Sequence, residues 1–332
     1  MFHLKGNPNG PHIILRHRQR ARNEQVQRNL IAPDVDPRRQ GARDEAEGDP
    51  NAPDRNSTER KTPSEQQVEE ELNNPHRAPE ERQKARKQHL EEYCRNHTYK
   101  KILGTEDMHM FAVDDDLKFI YCVLPKVGST TWKRVIAKSR KMKPGINRWI
   151  MWNRLSNYTE EERNERLKTY FKFVFVREPL QRLLSAYKNT FRRGKDLRNE
   201  LDQALRPQDF KPQVENFVEF KEFIQHFSIN MSRNQHWRQY EKLCHPCVID
   251  YDFIGHLETL KEDAPLLLQK VGIDDRVTFS PINKSTGPSE VLKHFSEVPV
   301  EYIKRLEELY RNDFEMFGYE YLGPVKKLLK QS

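Results

Sequence analysis

The sequence contains no apolar run approaching the roughly 18 residues a membrane-spanning helix needs. Its longest candidates, Phe119-Ile120-Tyr121-Cys122-Val123-Leu124 and Phe173-Val174-Phe175-Val176, have strand length. The opening Met1-Phe2-His3-Leu4-Lys5 lacks the apolar core of a signal peptide. No aromatic residue occurs between Phe2 and Tyr93, and hydrophobic residues make up only 35% of the 332. With a mean hydropathy of −0.97, the chain has too little apolar surface to pack throughout, so a long segment is expected to stay unfolded. Acidic residues are outnumbered, 50 against 58 Lys and Arg, giving a net charge of +8. That excess predicts an anionic partner without distinguishing nucleic acid, anionic glycan and membrane surface.

Composition assigns the unfolded part to residues 1–92, a basic and polar stalk rich in Pro, Asn, Gln, Arg and Glu. Pro33, Pro37, Pro50, Pro53, Pro63, Pro75 and Pro79 interrupt every periodic pattern there. The exception is Pro79 to Tyr93, which reads as a polar helix with Pro at its start. Residues 93–323 form the expected folded domain and 324–332 a short tail; no internal repeat is found.

Within the domain, Asp114-Asp115-Asp116-Leu117 reads as a turn and Lys118 to Leu124 as a buried strand. Pro125-Lys126-Val127-Gly128-Ser129-Thr130-Thr131 follows as a loop, and Trp132 to Lys141 as a helix. Tyr170 to Val176, Arg177-Glu178-Pro179 and Leu180 to Phe191 repeat the strand, loop and helix. This alternation predicts an α/β fold, a parallel sheet flanked by helices. A last helix opens at Pro299, its Val300, Ile303, Leu306, Tyr310, Phe314 and Phe317 recurring at helical spacing before Gly318.

Small, hydroxylated residues between a buried strand and a helix expose amides at the positive end of the helix dipole, where phosphate or sulfate binds. In the first loop Gly128 permits close backbone approach, Ser129, Thr130 and Thr131 offer hydroxyls, and Lys126 adds a cation. The alternative is a tight connection whose Ser and Thr merely cap the helix. The Lys precedes the Gly, so the loop is no Walker A motif and a nucleoside triphosphatase is disfavoured. In the second unit Arg177 sits at the strand's carboxyl end and Ser185 about two helical turns on, an arrangement that could hold a second phosphate.

Leu124-Pro125-Lys126-Val127-Gly128-Ser129-Thr130-Thr131-Trp132-Lys133-Arg134 resembles the 5′-phosphosulfate loop of sulfotransferases. Phe173 through Tyr187, with Val176-Arg177-Glu178-Pro179-Leu180-Gln181-Arg182-Leu183-Leu184-Ser185 at its centre, resembles their 3′-phosphate segment. With His236-Trp237, Cys244-His245-Pro246-Cys247, Tyr251-Asp252-Phe253-Ile254-Gly255 and Asp313 to Tyr319, the pattern is most similar to Golgi carbohydrate sulfotransferases of the HNK-1 and chondroitin/dermatan 4-O group. The resemblance spans Tyr93 to Leu322. It departs at Gly128, where Ala is common, and at Ser129, where Cys is common; both changes keep the loop small.

The resemblance implies a sulfotransferase-type P-loop-like fold and a donor, 3′-phosphoadenosine 5′-phosphosulfate, used without a metal. The donor's 5′-phosphosulfate falls to Pro125 through Thr131 and its 3′-phosphate to Arg177 through Ser185. The acceptor it implies is chondroitin or dermatan, at O-4 of N-acetylgalactosamine, with another sugar such as terminal glucuronic acid as the alternative. A non-catalytic polyanion-binding protein is the reading from a different class; no nucleic-acid-binding signature is found. Lys126 is expected to stabilise the leaving oxygen, and His236 to act as base ahead of His226, His245 and Glu178. Lys133, Arg134, Lys188, Arg192, Arg193 and Lys195 follow the two loops closely enough to line an acceptor groove, the alternative for most of them being a solvated helix face. The resemblance also implies a type II membrane protein of the Golgi lumen, whose anchor has no counterpart in this sequence; a truncated or differently retained form is the expectation.

Cysteines 94, 122, 244 and 247 are compatible with disulfides or a metal site. The zinc signal is weak because Cys122 falls in a core strand, so at least one disulfide of undetermined connectivity is expected in an oxidising compartment. Sequons at Asn56, Asn96, Asn157, Asn230 and Asn283 agree with a secretory lumen.

Overall fold

The computed structural model describes residues 63–97, 99, 103–142, 152–190, 219–229, 234–280 and 286–330. The chain divides into Met1–Arg60 and Lys61–Ser332, and every described residue belongs to the second unit. Helices α1 (Glu65–Asn73) and α2 (Pro79–Asn96) precede a hairpin of β1 (Phe111–Asp114) and β2 (Phe119–Cys122). Next come α3 (Ser129–Ser139), β3 (Asn153–Arg154), α4 (Glu160–Thr169), β4 (Phe171–Val176) and α5 (Pro179–Thr190). After α6 (Phe220–Ile229), α7 (Tyr240–Cys244), β5 (Phe253–His256), α8 (Leu260–Val271), α9 (Pro288–Phe295) and α10 (Val300–Met316), a 3₁₀ segment, Gly323–Lys330, ends the fold.

The expected α/β architecture is present, but the sheet is mixed rather than parallel. Its order is β3-β1-β2-β4-β5. The three strands β2, β4 and β5 run parallel, with Cys122 opposite Val174 and Val176 opposite His256. β1 is antiparallel to both β2 and β3. The cause is the acidic turn: Asp114 Oδ1 accepts the Leu117 amide at 3.0 Å, and a reversal this short joins only antiparallel neighbours. Strands separated by helices have the length of chain a parallel crossover requires.

Because helices cover the parallel strands, β2 (FIYC) is buried at every position and β4 (FKFVFV) at all but its first. Tyr121 stacks on Phe173 with centroids 4.5 Å apart. Lys172 is tolerated in β4 because its Nζ lies 3.0 Å from Asp252 and 3.1 Å from the Tyr170 carbonyl. Gly255 lets β5 approach β4, since a Cβ there would fall 2.1 Å from the Phe175 ring. The helical stripe of α10 buries Ile303, Leu306, Tyr310 and Phe314, and Gly318, at φ 61°, follows the helix end.

Both expected boundaries move outward. Residues 65–92 do not form a free stalk: α2 packs on β5 and α8, and α1 packs on α2 with its Leu72 against Gly318. Arg82 and Arg86 of α2 are buried and each holds one oxygen of the buried Asp263 of α8 at 2.7 Å. The Thr259 hydroxyl donates to the same carboxylate at 2.6 Å. Gln83 exchanges two hydrogen bonds with the main chain of Ile254, at 2.9 and 3.0 Å. Its amide thus pairs β5, the last strand of the sheet, where another strand would otherwise be needed. Arg82 and Arg86 fill the first half of the buried face of α2 and only Leu90 and Tyr93 near its end are apolar, which is why composition alone leaves the helix in the stalk. At the other end the expected tail from residue 324 continues the fold, with Val325 fully buried.

Two disulfides resolve the cysteine pairing. Cys94–Cys247 joins α2 to the turn after α7, and Cys122–Cys244 joins the end of β2 to α7. Asn96 and Asn157 of the sequons are exposed; Asn56, Asn230 and Asn283 lie outside the described residues.

Removing Asp263 strands two buried guanidinium groups, a change worth about 3–5 kcal/mol. At roughly 2–4 °C per kcal/mol for a unit of this size, Asp263→Ala is expected to lower the melting temperature by about 10 °C in a circular-dichroism melt. A chain starting at residue 63 should keep the cooperative transition and one starting at residue 93 should lose it. Equal melts for those two chains would return α2 to the stalk.

Candidate active site

The first loop leaves β2 at its carboxyl end and enters α3 through two left-handed residues, Lys126 (φ 71°) and Gly128 (φ 87°). Gly128 adopts that conformation without penalty, whereas the lysine incurs about 1–2 kcal/mol. The Thr131 and Trp132 amides both return to the Gly128 carbonyl, at 2.9 and 3.2 Å. The amides of Ser129 and Thr130 therefore precede the first helical hydrogen bond and stand at the positive end of the α3 dipole. No side chain caps this helix, so capping does not account for the loop's hydroxyls. Ser129 is buried, Thr130 exposed and Thr131 half-buried; Pro125 is half-buried, and Val127, fully buried, can reach a ligand only through its backbone.

The second loop leaves the neighbouring parallel strand β4 at the same end of the sheet. Arg177 is buried, its guanidinium donating to the Thr286 carbonyl and hydroxyl and, at 3.4 Å, to Gln181 Oε1. Its Nε is buried with no hydrogen-bond partner among the described residues, and burial lowers its pKa. A buried donor left over beside a helix start fits a bound anion, which would satisfy it and offset that desolvation. Glu178 turns inward to accept the Leu180 and Gln181 amides at 3.1 and 2.7 Å. Burial pushes its carboxyl up to about 8, so it holds a proton at neutral pH and its surroundings make it the local cap of α5 rather than a solvent-facing base. Pro179 opens α5; Leu180, Leu183 and Leu184 are fully buried core residues whose side chains cannot contact a ligand, and Ser185 is half-buried one turn beyond Gln181.

Arg182 departs from the donor-binding expectation. Its fork is spent on main-chain carbonyl groups: Nη1 on Arg238 at 2.8 Å, Nη2 on Gln235 at 2.9 Å and Nε on Pro125 at 3.4 Å. It is a positioning residue that binds the His236 segment to the first loop. Its guanidinium also lies 4.6 Å above the Tyr240 ring. The Tyr240 hydroxyl donates to the Arg177 carbonyl at 2.7 Å and accepts the Arg177 amide at 3.0 Å. Asp313 in turn receives the Tyr240 amide on both oxygens at 2.9 Å. One packed group thus sets the first loop, the second loop and His236 relative to one another.

Of the base candidates, His236 is the one brought to the first loop. Burial, then the charges of Lys126 and Arg182, hold its imidazole down to about 4, keeping it neutral. His245 is buried elsewhere, 3.7 Å from Asp107, and the His226 side chain lies outside the described residues. The residues expected to line an acceptor groove are not brought together among the described residues. Lys133 is buried rather than groove-lining, its ammonium lowered to about 7 by burial and by Arg154. Lys188 is ion-paired with Glu290, Arg134 is exposed, and Arg192, Arg193 and Lys195 fall outside the described residues. A cavity of about 630 Å³ opens beside Glu178 and Gln181. Glu69 and Glu320 also line it, which makes it the wrong chemistry for a phosphate.

Sequence reasoning missed Thr286, Tyr240 and Asn234. Thr286 follows the noted sequon at Asn283, and nothing local marks it as the partner of Arg177, 109 residues away. No metal-holding group of His, Cys, Asp and Glu occurs among the described residues.

Residues 109–320 match the sulfotransferase family. The chain is 34% identical over 252 residues to carbohydrate sulfotransferase 11 of Mus musculus, covering 66% of this chain and 70% of that protein. It is 32% identical over 260 residues to carbohydrate sulfotransferase 10 of Homo sapiens, covering 68% and 72%. Against carbohydrate sulfotransferase 14 of Danio rerio it is 31% identical over 262 residues, covering 68% and 70%. No solved structure matches the chain. The two loops at the ends of adjacent parallel strands and the extent of these matches together make the chain an enzyme of the sulfotransferase family, in the carbohydrate sulfotransferase group that its motifs resemble.

Proposed function

We propose that this enzyme transfers a sulfuryl group from 3′-phosphoadenosine 5′-phosphosulfate to O-4 of N-acetylgalactosamine in chondroitin or dermatan. The observation that supports the transfer chemistry is the Arg182 clamp, which joins the His236 segment to the Lys126 loop beside a second anion-suited loop at Arg177; the acceptor rests on the resemblance of the motifs to the chondroitin/dermatan 4-O group. The donor supplies sulfur already activated as a phosphosulfate anhydride. Pro125 to Thr131 would bind its 5′-phosphosulfate through loop amides and hydroxyls, and Arg177 with Ser185 its 3′-phosphate. The acceptor oxygen forms a bond to sulfur as the bond from sulfur to the phosphate's bridging oxygen breaks. The electron pair of that bond stays on the phosphate, next to Lys126 Nζ and the positive end of α3. The acceptor's proton passes to His236, whose neutrality at physiological pH leaves it able to accept. Fixed donors and a cation aimed at the departing oxygen lower the barrier chiefly by preorganisation.

The Golgi lumen is the proposed compartment. Two disulfides and the exposed sequons at Asn96 and Asn157 support an oxidising secretory environment. No helix among the described residues is long and apolar enough to cross a membrane.

Lys126→Ala is expected to lower kcat by about 10²- to 10³-fold, the usual loss of one charge-stabilising donor, with an unchanged melting curve; wild-type turnover would overturn the assignment. Adenosine 3′,5′-bisphosphate at 100 times its Kd should stabilise the fold by about 2.7 kcal/mol, raising the melting temperature by roughly 5–10 °C. Arg177→Ala should abolish most of that shift. An NMR titration of the ligand-free enzyme should find the His236 imidazole neutral down to about pH 4, and a midpoint near the ordinary 6.5 would separate it from Lys126 and Arg182. The acceptor is read by labelled transfer to a panel of desulfated glycosaminoglycans followed by disaccharide analysis; label on a uronic acid in place of N-acetylgalactosamine would reassign it.

A further inference from the structure

We infer that Asn234 is a positioning residue for the transfer reaction, fixing His236 in the tautomer that leaves Nε2 free to accept a proton. The inference rests on the reading of His236 as the base and adds the group that makes that base competent.

The geometry determines the tautomer by elimination. Asn234 Oδ1 lies 2.9 Å from the His236 main-chain nitrogen and 2.8 Å from His236 Nδ1. A peptide N–H only donates, so the atom receiving it is the amide oxygen and not the amide nitrogen. That oxygen carries no hydrogen to give Nδ1. A lone pair on Nδ1 would set two acceptors face to face at hydrogen-bond distance, so Nδ1 must carry the proton. In a neutral imidazole the remaining lone pair then belongs to Nε2.

Asn234 is itself held in place. Its carbonyl accepts the Trp237 and Arg238 amides at 3.3 and 3.0 Å. The carbonyl groups of Gln235 and Arg238 are gripped by Arg182, and that of Trp237 by the Tyr310 hydroxyl at 2.5 Å. The turn from 234 to 238 thus has little freedom to swing, and the side-chain bond at Nδ1 orients the ring. An amide at position 234 is also the suitable partner electrically. The charged groups facing His236 among the described residues are Lys126 from the first loop and Arg182 from α5, both cationic. A carboxylate at 234 would draw a proton onto the ring and leave it unable to accept one.

The test measures turnover on desulfated chondroitin, binding of adenosine 3′,5′-bisphosphate, and the tautomer. In the wild-type enzyme, nitrogen–proton correlation spectra of the imidazole should show the proton on Nδ1; a proton on Nε2 overturns the inference without any variant. Asn234→Ala should lower kcat by about 10- to 100-fold, a part of the 10²–10⁴ that a positioned base contributes, while the donor KM and the bisphosphate melting shift stay at wild-type values. Asn234→Asp keeps the acceptor oxygen, so it should retain the Nδ1 proton and move the acid limb of the kcat profile to higher pH. Wild-type kcat in Asn234→Ala, or an unmoved acid limb in Asn234→Asp, overturns the inference. His236→Gln separates the two readings: if it retains turnover, the base assignment fails; if it is inactive while Asn234→Ala is not impaired, only the role of Asn234 fails.

Discussion

The site depends on a single guanidinium. Arg182 is almost wholly buried, and it is tolerated there because its planar fork meets three main-chain carbonyl oxygens and an aromatic face. Those carbonyl groups belong to two segments more than a hundred residues apart in sequence, Pro125 on the loop after β2 and Gln235 with Arg238 ahead of α7. No regular secondary structure joins these segments. The sheet fixes the ends of β2 and β4, and the disulfide from Cys122 to Cys244 ties the end of β2 to α7. Arg182 supplies the remaining constraint by holding the turn that carries His236 against the loop that carries Lys126. A lysine could not do this, because a point charge has no fork with which to span separate acceptors.

The sheet explains why the two anion-suited loops lie side by side. Parallel neighbours present their carboxyl ends at one edge, and β2 and β4 pair in register from Phe119 with Phe171 to Cys122 with Val174. The strand, loop and helix unit visible twice in the sequence therefore becomes two adjacent helix N-termini. The antiparallel hairpin of β1 and β2 extends the sheet on the other side without disturbing this arrangement.

Much of this arrangement is legible in the sequence because it is local. The strands at 119–122 and 171–176, the helices after them and the small-residue loop between Pro125 and Thr131 are written in runs and spacings a few residues long. What stays hidden is nonlocal or polar. The helix α2 is visible as a helix, but its attachment through Arg82, Gln83 and Arg86 to Asp263 and Ile254 reverses the usual rule that buried faces are apolar. The motif around Arg182 points to donor binding, and only its carbonyl contacts reveal that it organises protein instead. Thr286 is ordinary in its local context and meets Arg177 only across the fold, whereas Asn234 meets His236 two residues on, a contact that no spacing in the sequence singles out.

The same cations serve two purposes with opposite consequences for His236. In the proposed reaction Lys126 favours negative charge on the departing oxygen, and, after burial, its charge and that of Arg182 disfavour a proton on the His236 imidazole. Before any anion is present, the ring is neutral but a weak base, since a low pKa means little pull on a proton. Negative charge next to Lys126 cancels part of that repulsion and raises the basicity of the ring. In the proposed reaction the base therefore gains strength only when the phosphosulfate lies in the first loop. On that reading the hydroxyl of the sugar is activated when there is sulfur for it to attack, and the ordering needs no moving part, only the influence of Lys126 and Arg182 on His236 in an arrangement that Arg182 itself maintains.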